Sequence, residues 1–444
     1  EMPLLDLSLA TTAVRVSGTQ AQLHLEHRDD RTAGNLQAAI TQVVLPGQNA
    51  QFNSLELTIP FAQPTPEGAD NAAAGSITIG SLGRQDTPLA SFAATINQFR
   101  DQFNLAGTLR AVFPPHPEIR MSGSVMPAAR QFSASWQLPP TIIDSKLLPA
   151  VSGIPAPLGF TGTLSARGNL QRSEDRLSGS LTVDLLNGSF SHEAQHLNVS
   201  AIDCSLKFPR LPDIISAPSQ RCTAGRIDIG ALRFEDAEIT YRLEDSRTVF
   251  VEKSRVNWCR GTLESGSIRL SADNPDIDTI LYSSRINFAD LLNQFGFDQT
   301  EGEGALNGKL PVSWSGKRLL IDDGFLFSTP GAGGIVRFTN TDLLRQGIGA
   351  VQQAGSLGYS LKALEDFAYN WSRLSFNSSG DELLMTMELD GRPRSPLPYA
   401  FKDGILVEAE QGNLQYPIRL DINLRLPLAE LLQVGHNVKS MMGN

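Results

Sequence analysis

The chain has 444 residues, of which 41% are hydrophobic and 19% charged, and its formal net charge is −10. This balance describes a folded chain long enough for roughly two or three ordinary domains, not a disordered one. It carries no basic block, which excludes nucleic-acid binding and a polybasic grip on anionic headgroups, so any association with lipid has to be apolar.

Alternation with period two dominates from the start. Val14 and Val16, Leu23 and Leu25, Leu55, Leu57 and Ile59, and Ile77 and Ile79 each leave a polar or small residue between them. Leu181, Val183 and Leu185, then Ile227 and Ile229, and near the end Leu420, Ile422, Leu424 and Leu426 repeat the pattern. Such runs, bounded by Gly, Pro, Asn and Asp, predict strands with one apolar face. A degenerate repeat of apolar, any residue, Gly, Ser or Thr, and apolar runs through them at Gly75, Gly107, Gly123, Gly162, Gly179 and Gly261, with a looser copy at Gly308. Its spacing predicts one copy per hairpin of an extended meander, each glycine marking a strand start or a kink.

Residues 60–74, 139–157 and 390–398 are rich in Pro, Gly and Asp and are expected to be loops, with a soft domain boundary near residue 150 that divides the chain into 1–150 and 151–444. Helices are few and late. Residues 288–295 form a short one, capped by Asn287 and stopped by Gly296. Residues 341–354 and 360–369 predict an amphipathic pair over the sheet, and 428–442 a final helix. No window approaches about 18 consecutive apolar residues, so none is expected to span a bilayer. The chain opens at Glu1 without a signal peptide, and any export signal or anchor is expected to lie upstream.

Cys204 and Cys222 flank a proline-rich excursion, and a disulfide between them would staple the base of a long loop, as in exported proteins. That pairing leaves Cys259 over; three buried free thiols in a cytosolic protein are the alternative.

His192-Glu193-x-x-His196 matches the zinc-hydrolase pattern, which needs a helix to bring the two imidazoles to one metal. Its flanks alternate like strands, with a turn expected at Asn187-Gly188. In an extended strand residues four apart lie about 13 Å from one another. No metal and no enzyme are therefore expected. His24 and His27, three apart in a strand, fall on opposite faces. Asp322-Asp323 before Gly324 reads as a hairpin turn and not a catalytic dyad. The glycines from Gly302 to Gly308 precede a strand and so fail the dinucleotide context, and no cofactor is expected.

The segment 286–338 is the specific one. Ile286-Asn-Phe-Ala-Asp-Leu-Leu-Asn-Gln-Phe295 leads to Gly302-Glu-Gly-Ala-Leu-Asn-Gly-Lys-Leu-Pro-Val312. Ile321-Asp-Asp-Gly-Phe-Leu-Phe-Ser-Thr-Pro-Gly331 and Gly334-Ile-Val-Arg-Phe338 follow. This order, with the closing stretch 420–432, resembles the YdbH-like family, also labelled a dicarboxylate-transport family. The resemblance runs over roughly residues 200–435. Upstream the chain shares the strand-and-glycine texture of the wider AsmA-like group, which includes TamB and YhdP.

The resemblance implies a mainly β fold, an elongated antiparallel sheet curled into a taco-like trough that shields acyl chains across the periplasm of a Gram-negative envelope. It implies phospholipid as cargo, an inner-membrane anchor in the full-length protein, and a small outer-membrane lipoprotein as partner. Leu164, Leu181, Val183, Ile227, Ile229, Leu232 and Phe234 are the candidate groove residues, because they alternate in the mid-chain strands. The same apolar faces could equally fill a closed sandwich core, as in a structural or adhesive envelope protein. A small-ligand (dicarboxylate) role would instead need two or more of Arg226, Arg233, Arg242, Arg247, Arg255, Arg260 and Arg269 to converge.

Overall fold

The computed structural model describes the chain apart from residues 1, 10–11, 29–30, 47–48, 64–73, 85–86, 100, 146–157, 174–175, 194–195, 275, 315–318, 341–343, 345–353, 381 and 428–444. The chain is mostly β, with 75% in strands. Among the described residues there are two short helices, and 26 strands belong to one antiparallel sheet that is not closed into a barrel. Internal contacts divide the chain into two units, residues 1–188 with 204–217 and residues 189–203 with 218–444. The boundary expected near residue 150 lies outside the described residues.

The first unit is a meander. Its strands are β1 (Met2–Leu9), β2 (Thr12–Arg28), β3 (Arg31–Leu45), β4 (Ala50–Gln63), β5 (Ala74–Arg84), β6 (Thr87–Phe99), β7 (Gln102–Ala111), β8 (Glu118–Met126), β9 (Gln131–Asp144) and β10 (Leu158–Ser173). From β1 to β10 each pairs antiparallel with the next. Then come β11 (Arg176–His192) and β12 (Leu197–Leu211). Two expected loops are shorter than their composition suggests, since residues 60–63 continue β4 and 139–144 continue β9. Pro60 is tolerated because the β4–β5 ladder ends at Thr58↔Ser76, so no donor is needed on that side. Beyond it the Ala62 N–H donates to Gln98 Oε1 at 2.8 Å.

The second unit continues with β13 (Gln220–Ile229), β14 (Leu232–Leu243), β15 (Thr248–Trp258), β16 (Gly261–Ser265), β17 (Ile268–Ser271) and β18 (Ile277–Asn287). Helix α1 (Phe288–Gln294) follows, its first turn capped by Asn287 Oδ1, which accepts from the Asp290 N–H at 2.9 Å. Phe288, Leu291, Leu292 and Phe295 recur at one helical face, and all are buried. Next are β19 (Glu301–Glu303), β20 (Ala305–Trp314), β21 (Leu319–Ile321), β22 (Gly324–Ser328) and β23 (Gly334–Arg337). Helix α2 (Ala354–Leu364), β24 (Phe367–Ser379), β25 (Glu382–Pro393), β26 (Tyr399–Lys402), β27 (Ile405–Glu408) and β28 (Ile418–Pro427) complete the described elements.

Several local expectations need correction. The helix expected over 360–369 is α2, which starts at Ala354, and Phe367 and Tyr369 belong to β24. Their alternate burial continues through Leu374 and Phe376, so the two-residue period wins over the helical one. The helix expected over 341–354 falls almost wholly outside the described residues, and that over 428–442 entirely so. Asp322 and Asp323 do not form a hairpin turn. Both β21 and β22 pair with the same strand, β20, so the two aspartates interrupt one line of pairing. Residues 390–393 of the last expected loop belong to β25.

The second unit holds the core. Leu326, Leu374, Met387 and Ile422 stand directly opposite one another across β22, β24, β25 and β28 and are wholly buried. The face they share packs in one cluster with the apolar sides of α1 and α2. The motif around Gly302–Gly308 finds its physical reason here. Gly304 (φ +136°) and Gly334 leave room for the Tyr369 hydroxyl, which would stand 1.8 and 2.2 Å from a Cβ at those positions. The Tyr369 ring meets Phe288 edge-on at 5.6 Å, and burial pushes its hydroxyl up to about 12.

Candidate functional site

The first unit has the same register logic, without a covering layer among its described residues. Leu57, Ile77, Ala94, Gly107, Met121, Trp136 and Gly168 stand opposite one another from β4 to β10. Ala38 and Ala21 extend that row onto β3 and β2. Ile40, Leu55, Ile79, Phe92, Leu109 and Ile119 form a parallel row, and Ile96, Leu105, Gly123, Ala134 and Leu170 a third. Directly opposite residues of an antiparallel pair project to the same side, so these rows make one apolar face. At about 4.8 Å per strand, the first row spans roughly 38 Å.

The other face is polar and mostly uncharged. Ser122 meets Ser135 and Ser124 meets Ser133, each at 2.8 Å. Asn169 donates to Ser180 at 3.1 Å, and Asn53 to Ser81 at 2.9 Å. A closed core would bury the large apolar side chains opposite this polar face, yet most of them are only half-buried. Among the described residues of this unit, the buried hydrophobics are Val16, Ala90, Ala94, Ile96, Ile143 and Phe208. Leu23 stays 60% exposed and Val125 46%. Where the face is crowded, it is by a close approach: the Trp136 indole lies over Gly168, whose Cβ would stand 2.5 Å from Cζ2. Gly107 and Gly123 are likewise mid-strand and opposite larger residues, whereas Gly75 and Gly179 do stand near strand starts.

The seven groove candidates fall into two sets, and all seven are half-buried. Leu164 shares strand parity with Gly168 and Leu170, which puts it on the apolar face. Ser178 and Ser180 bond Gln171 and Asn169 on the polar face, so Leu181 and Val183 project to the apolar one. Ile227↔Phe234 and Ile229↔Leu232 are cross-strand pairs on one face of the β13–β14 hairpin, in the second unit. Leu232 and Phe234 pack against the closed core, with Phe234 5.8 Å from the Trp258 ring. The rows on β4–β9 are not among the groove candidates, although their alternation is present in the sequence; what singles them out is the ladder register.

The other candidates resolve differently. His192 of His192-Glu193-x-x-His196 ends β11, and ahead of β12 the His196 N–H donates to the Glu193 carbonyl at 3.1 Å, with His196 at φ 44°. The turn expected at Asn187-Gly188 is not one: β11 runs through it, with Asn187 at φ 50° as a local left-handed residue. Among the described residues no group of three or more His, Cys, Asp or Glu could hold a metal ion. Of the seven arginines, Arg233 and Arg260 line one cavity, and the others lie outside it. Each is ion-paired, Arg226 and Arg233 with Asp228, Arg242 and Arg269 with Glu244, Arg247 with Asp273, Arg255 with Glu264, and Arg260 with Asp290. Cys204 and Cys222 are both disulfide-bonded. Cys259 is a buried free thiol, its pKa pushed up to about 12 by burial and then by Asp290. Among the described residues no helix is long and apolar enough to cross a membrane.

The family model described as "YdbH-like: Intermembrane phospholipid transport protein YdbH" matches residues 3–434. The chain belongs to the YdbH-like family. No curated protein and no solved structure matches it. Membership reaches nearly the whole chain, including the first unit, where the sequence alone shows only the texture of the wider group. The family is one of intermembrane phospholipid transport, and the β-rich fold is in keeping with it.

Proposed function

We propose that this YdbH-like chain carries phospholipid between the inner and outer membranes through the periplasm, with acyl tails lying on the apolar face of the first unit. The observation that carries the reading is that face: rows of Leu, Ile, Phe, Met and Trp in register over neighbouring strands, half-buried and without a packed layer over them among the described residues. Each methylene withdrawn from water contributes about 0.8 kcal/mol. A few contacts along two tails therefore suffice to hold a lipid with its headgroup left in water. Movement is passive, since tails exchange one set of apolar contacts for another. The filled core of the second unit acts as the rigid part of the molecule. An inner-membrane anchor upstream and a small outer-membrane lipoprotein complete the pathway in this reading.

The test is face-specific photocrosslinking. A benzophenone side chain at Ile77 or Leu109 is expected to capture phospholipid in cells, and one at Thr78 or Arg120, on the opposite face, to capture none. Equal capture from both faces, or from neither, would reject the reading.

A further inference from the structure

A cavity of about 380 Å³ opens on the second unit between β14, the β15–β16 turn and α1. Arg233, Glu235, Trp258, Arg260, Asp290 and Gln294 line it, so two cations face two anions in a chain whose net charge is −10. Its walls are tied together. Gln294 Oε1 accepts from the Trp258 indole N–H at 2.8 Å and from the Arg233 backbone N–H at 3.2 Å. Arg260 donates through Nε and Nη2 to the two oxygens of Asp290, which leaves Nη1 for another acceptor. Arg233 donates through Nε to Asp228 at 3.2 Å, leaving both of its terminal nitrogens. Arg260 is held there at a backbone cost. It shares the two-residue turn with Cys259, and both have positive φ (58° and 46°), where Asn-Gly is the ordinary choice.

We infer that this cavity is a binding site for the zwitterionic headgroup of an aminophospholipid. The phosphate diester would sit against Arg233 and Arg260, and the ammonium against Glu235 and Asp290. A neutral site of two opposed charge pairs matches a zwitterion and offers an anionic glycerol headgroup nothing for its charge to balance. Trp258 forms the cavity's inner wall, its ring buried in the core against Phe234 and Phe295. The site gives a lipid-carrying chain headgroup selectivity that an apolar face alone lacks. This inference rests on the phospholipid reading above.

The test follows the ¹⁵N indole resonance of Trp258 in the full chain, with native mass spectrometry alongside. Dihexanoyl phosphatidylethanolamine is expected to bind about two- to fivefold tighter than dihexanoyl phosphatidylglycerol, the range for exposed charge pairs. Glu235→Gln should remove that preference by weakening phosphatidylethanolamine and tightening phosphatidylglycerol, and Arg260→Gln should weaken both lipids. Glycerophosphoethanolamine, the headgroup without tails, should move the same resonance at higher concentration, and glycerophosphoglycerol should need more still. A Trp258 resonance that moves with neither lipid overturns the site, as does equal affinity for both that Glu235→Gln leaves unchanged. Should either occur while Ile77 still crosslinks lipid, the headgroup site alone is lost. Loss of both signals removes the phospholipid reading itself.

Discussion

Ile77→Asp separates a lipid-bearing face from a packed core. Ile77 is half-buried and stands between Leu57 and Ala94 in the longest apolar row. Full burial of such a side chain contributes about 1.5–3 kcal/mol, so losing a half-buried one costs about 1–1.5 kcal/mol, with little cavity penalty because among the described residues no layer closes over it. The new carboxylate can reach water, so it adds only modestly to that cost. For a bound lipid the effect is larger. A carboxylate and its water keep about two or three methylenes of one tail off the face, which is about 2 kcal/mol, or roughly a thirtyfold loss of retention. The melting temperature should fall by a few degrees while co-purified phospholipid per chain, measured after organic extraction, drops more than tenfold. A wild-type protein that purifies without phospholipid and takes up none would refute the reasoning. So would a variant that unfolds as readily as one with a disrupted core.

The control for that comparison is Leu374→Ala, which removes a wholly buried side chain from the second unit and should cost about 2–5 kcal/mol in urea unfolding without emptying the lipid face. Val183→Asp, further along the apolar face, should reduce bound phospholipid as Ile77→Asp does, read by native mass spectrometry. If Cys204 and Cys222 pair with each other, dithiothreitol should lower stability by about 3 kcal/mol, the value for a loop of this length, and Cys259 should react with Ellman's reagent only after unfolding. On the acid side, hydrogen bonds from Arg269 and then Arg242 hold the Glu244 carboxyl below its ordinary range. A carboxylate lowered in the folded state stabilises above its unfolded pKa and is lost as pH falls, so Glu244→Gln should flatten the melting profile below about pH 4.5. At the alkaline end the buried Tyr369 hydroxyl, raised to about 12, binds its proton more tightly folded than unfolded. The Tyr369 contribution should be level up to about pH 10 and decline between 10 and 12, above the earlier decline from Cys259 that begins near pH 9, and Tyr369→Phe should remove its part.

The strands were legible because a two-residue period has one physical cause, and the Leu55–Ile59 and Ile77–Ile79 runs show it plainly. Whether such a face is covered was not legible. Leu374 and Leu57 look alike in sequence, and only the register with neighbouring strands and the position of α1 and α2 separate the buried one from the half-buried one. Of the groove candidates, Leu164, Leu181 and Val183 share a face with the uncovered rows, whereas Leu232 and Phe234 lean on the closed core. Local turn chemistry failed where a residue other than glycine took positive φ. Asn187 kinks a continuous strand instead of ending it, and the true turn is made by His196. Asp322-Asp323 has turn composition, but a single partner strand on both sides keeps the line of pairing straight.

The two units solve the same problem with opposite means. A sheet with one apolar face normally needs a second layer, and the second unit supplies it with α1, α2 and the aromatic contacts around Trp258, Phe288 and Phe295. The first unit relies on ladder hydrogen bonds and on side chains shielding their neighbours across strands. Its polar face is held by neutral hydroxyl and amide pairs together with the Arg110–Glu118 ion pair, whereas arginine–carboxylate pairs recur throughout the second unit. Such a sheet recovers only part of the hydrophobic free energy available to it, because part of each side chain still meets solvent. A ligand that covers that face recovers the remainder, and an apolar chain long enough to cross several rows recovers most. If the proposed function holds, the free energy that folding leaves uncollected on the first unit is the free energy available to bind lipid, and mutations that fill the face with larger side chains should stabilise the empty chain while displacing its cargo.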